Sequence, residues 1–151
     1  MPYIKGAAPI EGCVFCLARD GTDDRAALVL ARGPHAFLIL NAFPYTPGHV
    51  MAVLNRHIGS FLDARAEELT DAMRLAQRAA TALTEEYRAE AFNIGLNQGR
   101  VAGAGIADHL HVHVVPRWSG DHNFMTVLGE ARVLPEDLDT TWERLHGRVH
   151  D

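Results

Sequence analysis

Three histidines occupy alternate positions in the segment DHLHVHVVPRW, residues 108–118. Side chains alternate between the two faces of a β-strand, so His109, His111 and His113 would share one face and the apolar residues between them the other. Burying three imidazoles without partners would leave several polar nitrogens unpaired, at about 1–3 kcal/mol each. We therefore favour a chemical role for this histidine row over its alternative, a solvated outer surface of the sheet.

The central imidazole of the row, His111, is the candidate nucleophile. A neutral ring whose one nitrogen is held by a hydrogen bond offers the other nitrogen to an electrophile or a metal. The glycine-rich segment GRVAGAGIAD, residues 99–108, precedes the row and can offer backbone N–H groups to an anion. Flanking histidines can donate to phosphoryl oxygens, which favours a phosphoryl centre as the electrophile. The run GAGIAD is not a dinucleotide fingerprint, because it lacks the third glycine and leads into a strand.

The sequence contains two cysteines, Cys13 and Cys16, separated by two residues. One pair excludes a disulfide framework but is compatible with a metal site, a redox pair or two reduced buried thiols. A closed tetrahedral zinc site needs four ligands, so the pair alone would be incomplete. A redox role is less favoured, because no thioredoxin-like βαβ pattern surrounds the pair. Four other histidines are expected to be ordinary exposed or hydrogen-bonded residues: His35, His122, His146 and His150.

Composition limits the classes of function. At 151 residues with 48% hydrophobic residues, the chain fits one compact domain. The net charge of −5 gives no general attraction to nucleic acid or to an anionic membrane. No apolar run approaches the roughly 20 residues of a membrane-spanning helix, and the first residues lack the apolar block of a signal peptide. We expect a soluble, cytoplasmic protein with no nucleic-acid or membrane partner.

The elements that would position these side chains follow from hydrophobic periodicity. The runs ALVLA, HAFLIL and HVMAVLN predict three antiparallel strands, of which the first two form a hairpin. AFNIGLN predicts a fourth strand, and HLHVHVVP its partner. The predicted class is therefore α+β, an antiparallel sheet of about five strands with helices packed mainly on one side.

Two helices are predicted besides a short one after the cysteine knuckle. A long amphipathic helix occupies residues 63–90, where apolar residues recur at steps of three and four. Pro135 is expected to open a short C-terminal helix that continues to about Arg148. The apolar face of the long helix is expected to consist of Leu69, Ala72, Met73, Ala76, Ala80, Leu83 and Tyr87. The full division of the single domain is an arm (1–12), a knuckle with the first strands (13–60), the long helix (63–90), the catalytic strands (91–118) and a C-terminal segment (119–151).

The motif HLHVHVV, three histidines alternating with hydrophobic residues and followed by two more, resembles the histidine triad (HIT) superfamily of nucleotide hydrolases and transferases. The resemblance extends over CVFC, LNAFPYTPGH, NRH, NIGLNQG and HVVPRW. The segment GDHNFMTVLGEARVLP is similar to the bacterial branch associated with diadenosine tetraphosphate phosphorylase or ATP adenylyltransferase activity. The resemblance implies a HIT-like fold and, as in the family, a homodimer.

The resemblance also implies residue roles. His111 would attack the α-phosphorus and form a nucleotidyl-histidine intermediate, and His113 would stabilise the phosphoryl oxygens. Asn41 would bind the ribose hydroxyls, and His49 would line the phosphate site. For Asn41 and Asn97 the alternative is turn capping, and for Trp118 it is packing. The remaining implied substrate contacts are Asn97, Gln98 and Trp118.

The resemblance also has implications for a metal site and for the glycine-rich loop. Several members of the family hold zinc with residues that match Cys13, Cys16, His57 and His109, which implies a structural zinc some 6–7 Å along the strand from His111. His109 would then be a ligand as well as the first member of the triad. Many relatives carry serine or glutamine where this chain has Gly105. Either the Gly105 backbone N–H replaces that side-chain contact or the leaving-group preference differs.

Three functions follow as hypotheses. The first is cleavage of a dinucleoside polyphosphate, diadenosine tetraphosphate above all, by hydrolysis or by phosphorolysis to ADP and ATP. The second is a purine nucleoside phosphoramidase, which would use the same nucleophile but expel an amine. The third is a nucleotide-binding module without catalysis, against which the intact triad argues.

Overall fold

The computed structural model describes residues 12–121 and 136–149. Within these ranges the strands are β1 (Val29–Arg32), β2 (Ala36–Leu40), β3 (Val50–Leu54), β4 (Ala91–Gly95) and β5 (His111–Arg117). They form one antiparallel sheet in the order β1-β2-β3-β5-β4. The predicted β1–β2 hairpin and the pairing of β4 with β5 are both confirmed.

The helices are α1 (Val14–Asp20), α2 (Asp24–Ala27), α3 (Ala66–Tyr87) and α4 (Leu138–His146), and 3-10 turns occupy Phe61–Asp63 and Arg100–Ala102. Helix α3 packs on β2, β3 and β5, and α4 packs on α3 and β1. The opposite face of the sheet is covered by α1, whose Phe15 is buried against β1, β2 and β3. The α+β class with one long and one short C-terminal helix is confirmed.

Helix α3 is shorter than the predicted 63–90. It begins after Arg65, whose backbone N–H donates to the Glu68 carboxylate at 2.8 Å, and it ends where Arg88 takes a left-handed conformation with φ 58°. The Glu68 carboxylate also pairs with Arg56, which lowers the pKa of Glu68 to about 2.

The predicted apolar face of α3 was wrong at Met73, whose side chain is 51% exposed. Each helical residue advances about 100° around the axis, and the face toward the sheet is centred on Ala72, Leu75 and Ala79. Met73 therefore projects to the side of that face. Two acidic residues of α3 are buried: Asp71 accepts a hydrogen bond from the His35 backbone N–H at 2.8 Å, and Glu68 pairs with Arg56.

Helix α4 begins at Leu138, after Asp137 accepts the Thr140 N–H at 2.8 Å as a side-chain cap, and ends two residues before the predicted Arg148. Pro135, His122 and His150 lie outside the described residues, as do the arm before Gly12 and most of the segment GDHNFMTVLGEARVLP. No helix within 12–121 and 136–149 combines the length and hydrophobicity that a membrane crossing requires.

Candidate active site

The alternation predicted for the histidine row is present in the structure. Leu110, Val112 and Val114 point into the core under α3, and His109 and His111 are 0% and 7% exposed on the other side. Strand β5 begins at His111, two residues later than predicted, because the Leu110 N–H donates to the Ile58 carbonyl outside the ladder. Every fully buried side-chain nitrogen and oxygen of the described residues has a hydrogen-bond partner, so the cost of burying the row is met.

The hydrogen bonds of His111 define which of its nitrogens is reactive. Nδ1 lies 2.9 Å from the His109 carbonyl oxygen, which can only accept, so Nδ1 carries the proton. Burial lowers the pKa of His111, which keeps the ring neutral and leaves the Nε2 lone pair available. The ring of Phe15 packs against it at a centroid distance of 5.0 Å. The result is a fixed, largely desolvated imidazole with one free lone pair.

A chain of hydrogen bonds likewise fixes the tautomer of His113. The Tyr45 backbone N–H donates to His49 Nδ1 at 3.2 Å, so the proton of the neutral His49 is on Nε2. His49 Nε2 then donates to His113 Nδ1 at 2.9 Å, which leaves the His113 proton on Nε2. Burial, followed by the charges of neighbouring histidines, lowers the pKa of His49 to about 3 and of His113 to about 4. His113 therefore presents an N–H donor beside the lone pair of His111.

Asn41 is buried next to the hydrogen bonds that connect His49 and His113. Its Oδ1 accepts the Phe43 N–H at 2.8 Å, and its Nδ2 lies 3.4 Å from His49 Nε2. The turn-capping alternative is therefore present in the structure. A ribose contact by the same side chain remains a prediction.

The glycine-rich connection bends at Gly99 and Gly103, which have φ of +85° and +97°. Asn97 is exposed, and the side chain of Gln98 accepts the Phe61 backbone N–H, so the Gln98 carbonyl is turned toward the 3-10 turn. A Cβ at Gly105 would meet nothing within 4 Å, which leaves its backbone open to a ligand. The roles assigned to these residues stay predictions.

Trp118 is not brought together with the histidine row. Its indole N–H donates to the Tyr87 carbonyl at 3.0 Å, and its ring packs on the core cluster beneath α3, on the other side of the sheet. The position of Trp118 within this chain therefore fits packing, the alternative to a substrate contact.

A compact cluster of four potential ligand atoms joins the knuckle, residues 13–16, to the segment that leads into β5. The ligand atoms of Cys13, Cys16, His57 and His109 all lie within 4.8 Å of one another. His109 Nε2 lies 2.6 Å from the Leu54 carbonyl and so carries the proton, which turns the Nδ1 lone pair toward the cysteines.

The distances from His109 Nδ1 to the other three ligand atoms are close to those around a tetrahedral metal. His109 Nδ1 lies 3.4 Å from Cys13 Sγ, 3.6 Å from Cys16 Sγ and 3.2 Å from His57 Nδ1. Zinc bond lengths in a tetrahedron separate the ligand atoms by about 3.3–3.8 Å. The donor set, two thiols and two imidazoles, is one that zinc prefers. The implied ligand set is thus assembled, and it could hold a metal.

An open cavity of about 630 Å³ adjoins His113 on the histidine face of β4 and β5. The β4–β5 register pairs His113 with Gly95, two residues before Asn97, and Arg117 with Ala91. His113 and Asn97 therefore lie at one end of the lining, and Arg117 with its partner Asp121 at the other. Arg117 is held by Asp121 at 2.8 and 2.9 Å and donates to Asn93 at 2.8 Å.

Comparison with known proteins assigns the family. The model of the HIT domain matches residues 23–120, which include the whole sheet and the histidine row. The chain belongs to the HIT domain family. This HIT chain is 43% identical over 118 residues to an AP-4-A phosphorylase of Mycobacterium tuberculosis, an alignment that covers 78% of the chain and 60% of the relative. It therefore spans about three fifths of the length of that relative.

Two further relatives match over most of their length. An uncharacterized HIT-like protein of Mycobacterium tuberculosis is 33% identical over 109 residues, 72% of this HIT chain and 74% of the other. The crystal structure of a zinc-bound histidine triad family protein from Mycobacterium smegmatis superposes with a TM-score of 0.73 at 27% identity, covering 91% and 92% of the two chains. The HIT fold is therefore confirmed.

Sequence reasoning missed three side chains that shape the site of this HIT chain. Phe15 lies between the two cysteines and packs on His109 and His111, and Tyr45 lies within NAFPYTPGH and packs on His49 and His113. The position of Phe15 between the two cysteines was a sequence signal that could have indicated its place beside the histidine row. Arg117 was not predicted, because its role depends on Asn93 from another strand.

Proposed function

We propose that this chain is a nucleotidyl transferase or hydrolase that cleaves dinucleoside polyphosphates through a covalent intermediate on His111. The observation that carries the proposal is the hydrogen bond from His111 Nδ1 to the His109 carbonyl, which frees Nε2 beside the His113 donor. Similarity to an AP-4-A phosphorylase supports diadenosine tetraphosphate as the substrate.

The first step would be attack of the His111 Nε2 lone pair on the α-phosphorus. The phosphorus–nitrogen bond forms as the bond to the bridging oxygen breaks, and ATP departs with that electron pair. His113 Nε2–H would donate to a phosphoryl oxygen whose negative charge increases in the transition state. Asn41 would hold the ribose, and His49 would keep His113 in the donating tautomer.

The second step would release the nucleotide. An oxygen of inorganic phosphate attacks the same phosphorus, the phosphorus–nitrogen bond breaks, and ADP leaves with a neutral imidazole restored. Water in place of phosphate would give AMP. Both routes return His111 to the state in which Nδ1 carries the proton.

We further propose that Cys13, Cys16, His57 and His109 hold a structural zinc. The ion would fix the knuckle to β5, and through α1 would hold Phe15 against His111. The distances among the four ligand atoms support this role, as does the zinc-bound structural relative. No step of the reaction passes through the metal.

A homodimer is proposed from the family resemblance. In the described sheet, β4 is an edge strand with mostly exposed residues, which is compatible with an interface. Light scattering coupled to size-exclusion chromatography tests it, and a mass of 16.6 kDa for the eluting species contradicts it.

Turnover of matched substrates tests the proposed function. The protein is mixed with diadenosine tetraphosphate, with and without phosphate, or with adenosine 5′-phosphoramidate, and the nucleotide products are separated. We expect ADP and ATP to form only when phosphate is present if the reaction is phosphorolytic. A protein that cleaves only adenosine 5′-phosphoramidate is a phosphoramidase, and one that binds nucleotide without turnover is a binding module.

The variant His111→Asn sharpens this experiment. The asparagine amide can keep the donor to the His109 carbonyl, but it has no atom that replaces Nε2. We expect turnover to fall by at least about a thousandfold while nucleotide binding persists. The matched control is His146→Asn, because His146 stacks on Trp142 away from the row. Equal turnover in the parent and His111→Asn contradicts the proposal.

A further inference from the structure

The cavity beside His113 lies on the β4 side of β5, whereas the proposed ribose contact, Asn41, lies on the β3 side and reaches His113 through His49. Asn41 follows β2, and the order β2-β3-β5-β4 places β4, with the cavity, on the other side of the β5 histidines. Neither Asn41 nor His111 lines the cavity. A ligand whose ribose lies at Asn41 and whose phosphorus lies at His111 would continue across β5 into this space.

We propose that this cavity binds the departing nucleoside of a dinucleoside polyphosphate, with Tyr45 and Asn93 as the residues that select it. This inference rests on the proposed function and deepens it, because it assigns the leaving-group specificity of the enzyme. The transferred nucleotide and the departing nucleoside would then occupy separate sites on the two sides of the histidine row.

The walls of the cavity suit a base. Tyr45 is 67% exposed, and its ring lies nearly parallel to that of His113, at 16° and 6.2 Å between centroids. Aromatic rings exposed in this way are stacking platforms for nucleobases. Val115 and Ile94 add apolar surface to the lining.

The polar groups of the cavity suit the edges of a nucleoside. The Asn93 carbonyl accepts from Arg117, which leaves both hydrogens of its Nδ2 free to be donated to a ligand. The Thr46 hydroxyl donates to the Pro116 carbonyl at 2.9 Å, so its oxygen remains an acceptor. The cavity therefore offers a donor and an acceptor next to an aromatic ring.

Charge places the nucleoside at the Arg117 end and the phosphates at the His113 end. The guanidinium of Arg117 is matched by the carboxylate of Asp121, so that end has no excess positive charge to attract a phosphate. His113 and Asn97 provide N–H donors at the other end. The two ends are about 13 Å apart along β5, which a departing amine cannot span.

The test compares two substrates that transfer the same AMP group. Diadenosine tetraphosphate has a long leaving group, and adenosine 5′-phosphoramidate has ammonia. We expect Tyr45→Ala to lower the ratio of kcat/KM for the long substrate to kcat/KM for the short one by about tenfold. Asn93→Trp, which fills the cavity from β4, should lower the ratio at least as much. Because β4 is also the proposed homodimer interface, light scattering must show that this variant keeps the oligomeric state of the parent. Tyr45→Phe retains the ring and should recover most of the ratio.

Met73→Trp is the matched control for the added indole, because Met73 is exposed on α3 away from the site. Circular dichroism of each variant reports folding. A ratio that stays within twofold of the parent in both Tyr45→Ala and Asn93→Trp overturns the inference while leaving the proposed function in place. A parental protein that cleaves neither substrate overturns both proposals.

Discussion

Gly48 is the position at which one added methyl group should disturb the site most. It precedes His49 in NAFPYTPGH and has φ of +88°, a conformation that residues with a Cβ adopt with strain. An alanine Cβ at this position would lie 2.6 Å from Cδ2 of Leu83, which is 0% exposed and confined by the core. Gly48→Ala therefore combines backbone strain with overpacking against α3.

The expected loss of stability follows from these two contributions. The left-handed conformation costs a residue with a Cβ about 1–2 kcal/mol, and overpacking a buried site costs about 1–3 kcal/mol. We expect Gly48→Ala to lower the free energy of unfolding by about 2–5 kcal/mol, and the Tm by about 10 °C. His49 should shift with its neighbour, which weakens its hydrogen bond to His113 and lowers turnover.

Urea unfolding of four proteins separates the two contributions: the parent, Gly48→Ala, Leu83→Ala and the double variant. Removing the Leu83 side chain relieves the clash but not the backbone strain, so the double variant should be about 1–3 kcal/mol more stable than the sum of the single losses predicts. Gly147→Ala is the control, since its φ is −81° and a Cβ there meets nothing within 4 Å. A Gly48→Ala protein as stable as Gly147→Ala refutes the reasoning.

Three further predictions concern the metal, the pH dependence and the packing of the nucleophile. Elemental analysis should find one zinc per chain in the parent, and free zinc at a thousandfold above its Kd should stabilise the parent by about 4 kcal/mol. Cys16→Ala should show neither effect. Equal zinc content in the parent and in Cys16→Ala contradicts the site. Because the pKa values of His49 and His113 are about 3 and 4 in the folded protein, the unfolded chain binds protons first as the pH falls below about 6.5. Their contribution to stability is therefore complete above pH 6.5 and is lost as the pH falls toward 4 for His113 and toward 3 for His49, at up to about 1.4 kcal/mol per pH unit for each histidine. Urea unfolding with a chelator present should show that the free energy of unfolding changes less steeply with pH in His49→Gln than in the parent. Phe15→Ala should cost about 3–5 kcal/mol of stability and also lower turnover, because Phe15 is buried between β1–β3 and His111; unchanged thermal unfolding would argue against that packing.

Much of the fold could be predicted from local patterns. The strands were recognisable because short apolar runs are separated by Gly33-Pro34 and by NAFPYTPG. The boundaries of α3 were less certain, because a hydrophobic pattern does not reveal the backbone reversal at Arg88. The error at Met73 arose because an apolar residue next to a buried stripe is indistinguishable, in sequence, from a member of it.

The histidine row could be predicted because the period of two assigns all three rings to one face. The tautomers could not, because they depend on the Leu54 carbonyl and on the Tyr45 amide, which approach the row only in the folded chain. The cavity could not be predicted either. It forms where Asn93, Arg117 and the loop containing Tyr45 meet, and no spacing in the sequence records that meeting.

Detection of the covalent intermediate is the most direct test of His111 as the nucleophile. The protein is mixed with diadenosine tetraphosphate without phosphate, quenched at alkaline pH within the first turnover, digested and analysed by mass spectrometry. We expect one AMP group on the peptide that contains His111, and its loss when phosphate is added before the quench. AMP attached to another residue, or product formation with no adduct at any time, would contradict it.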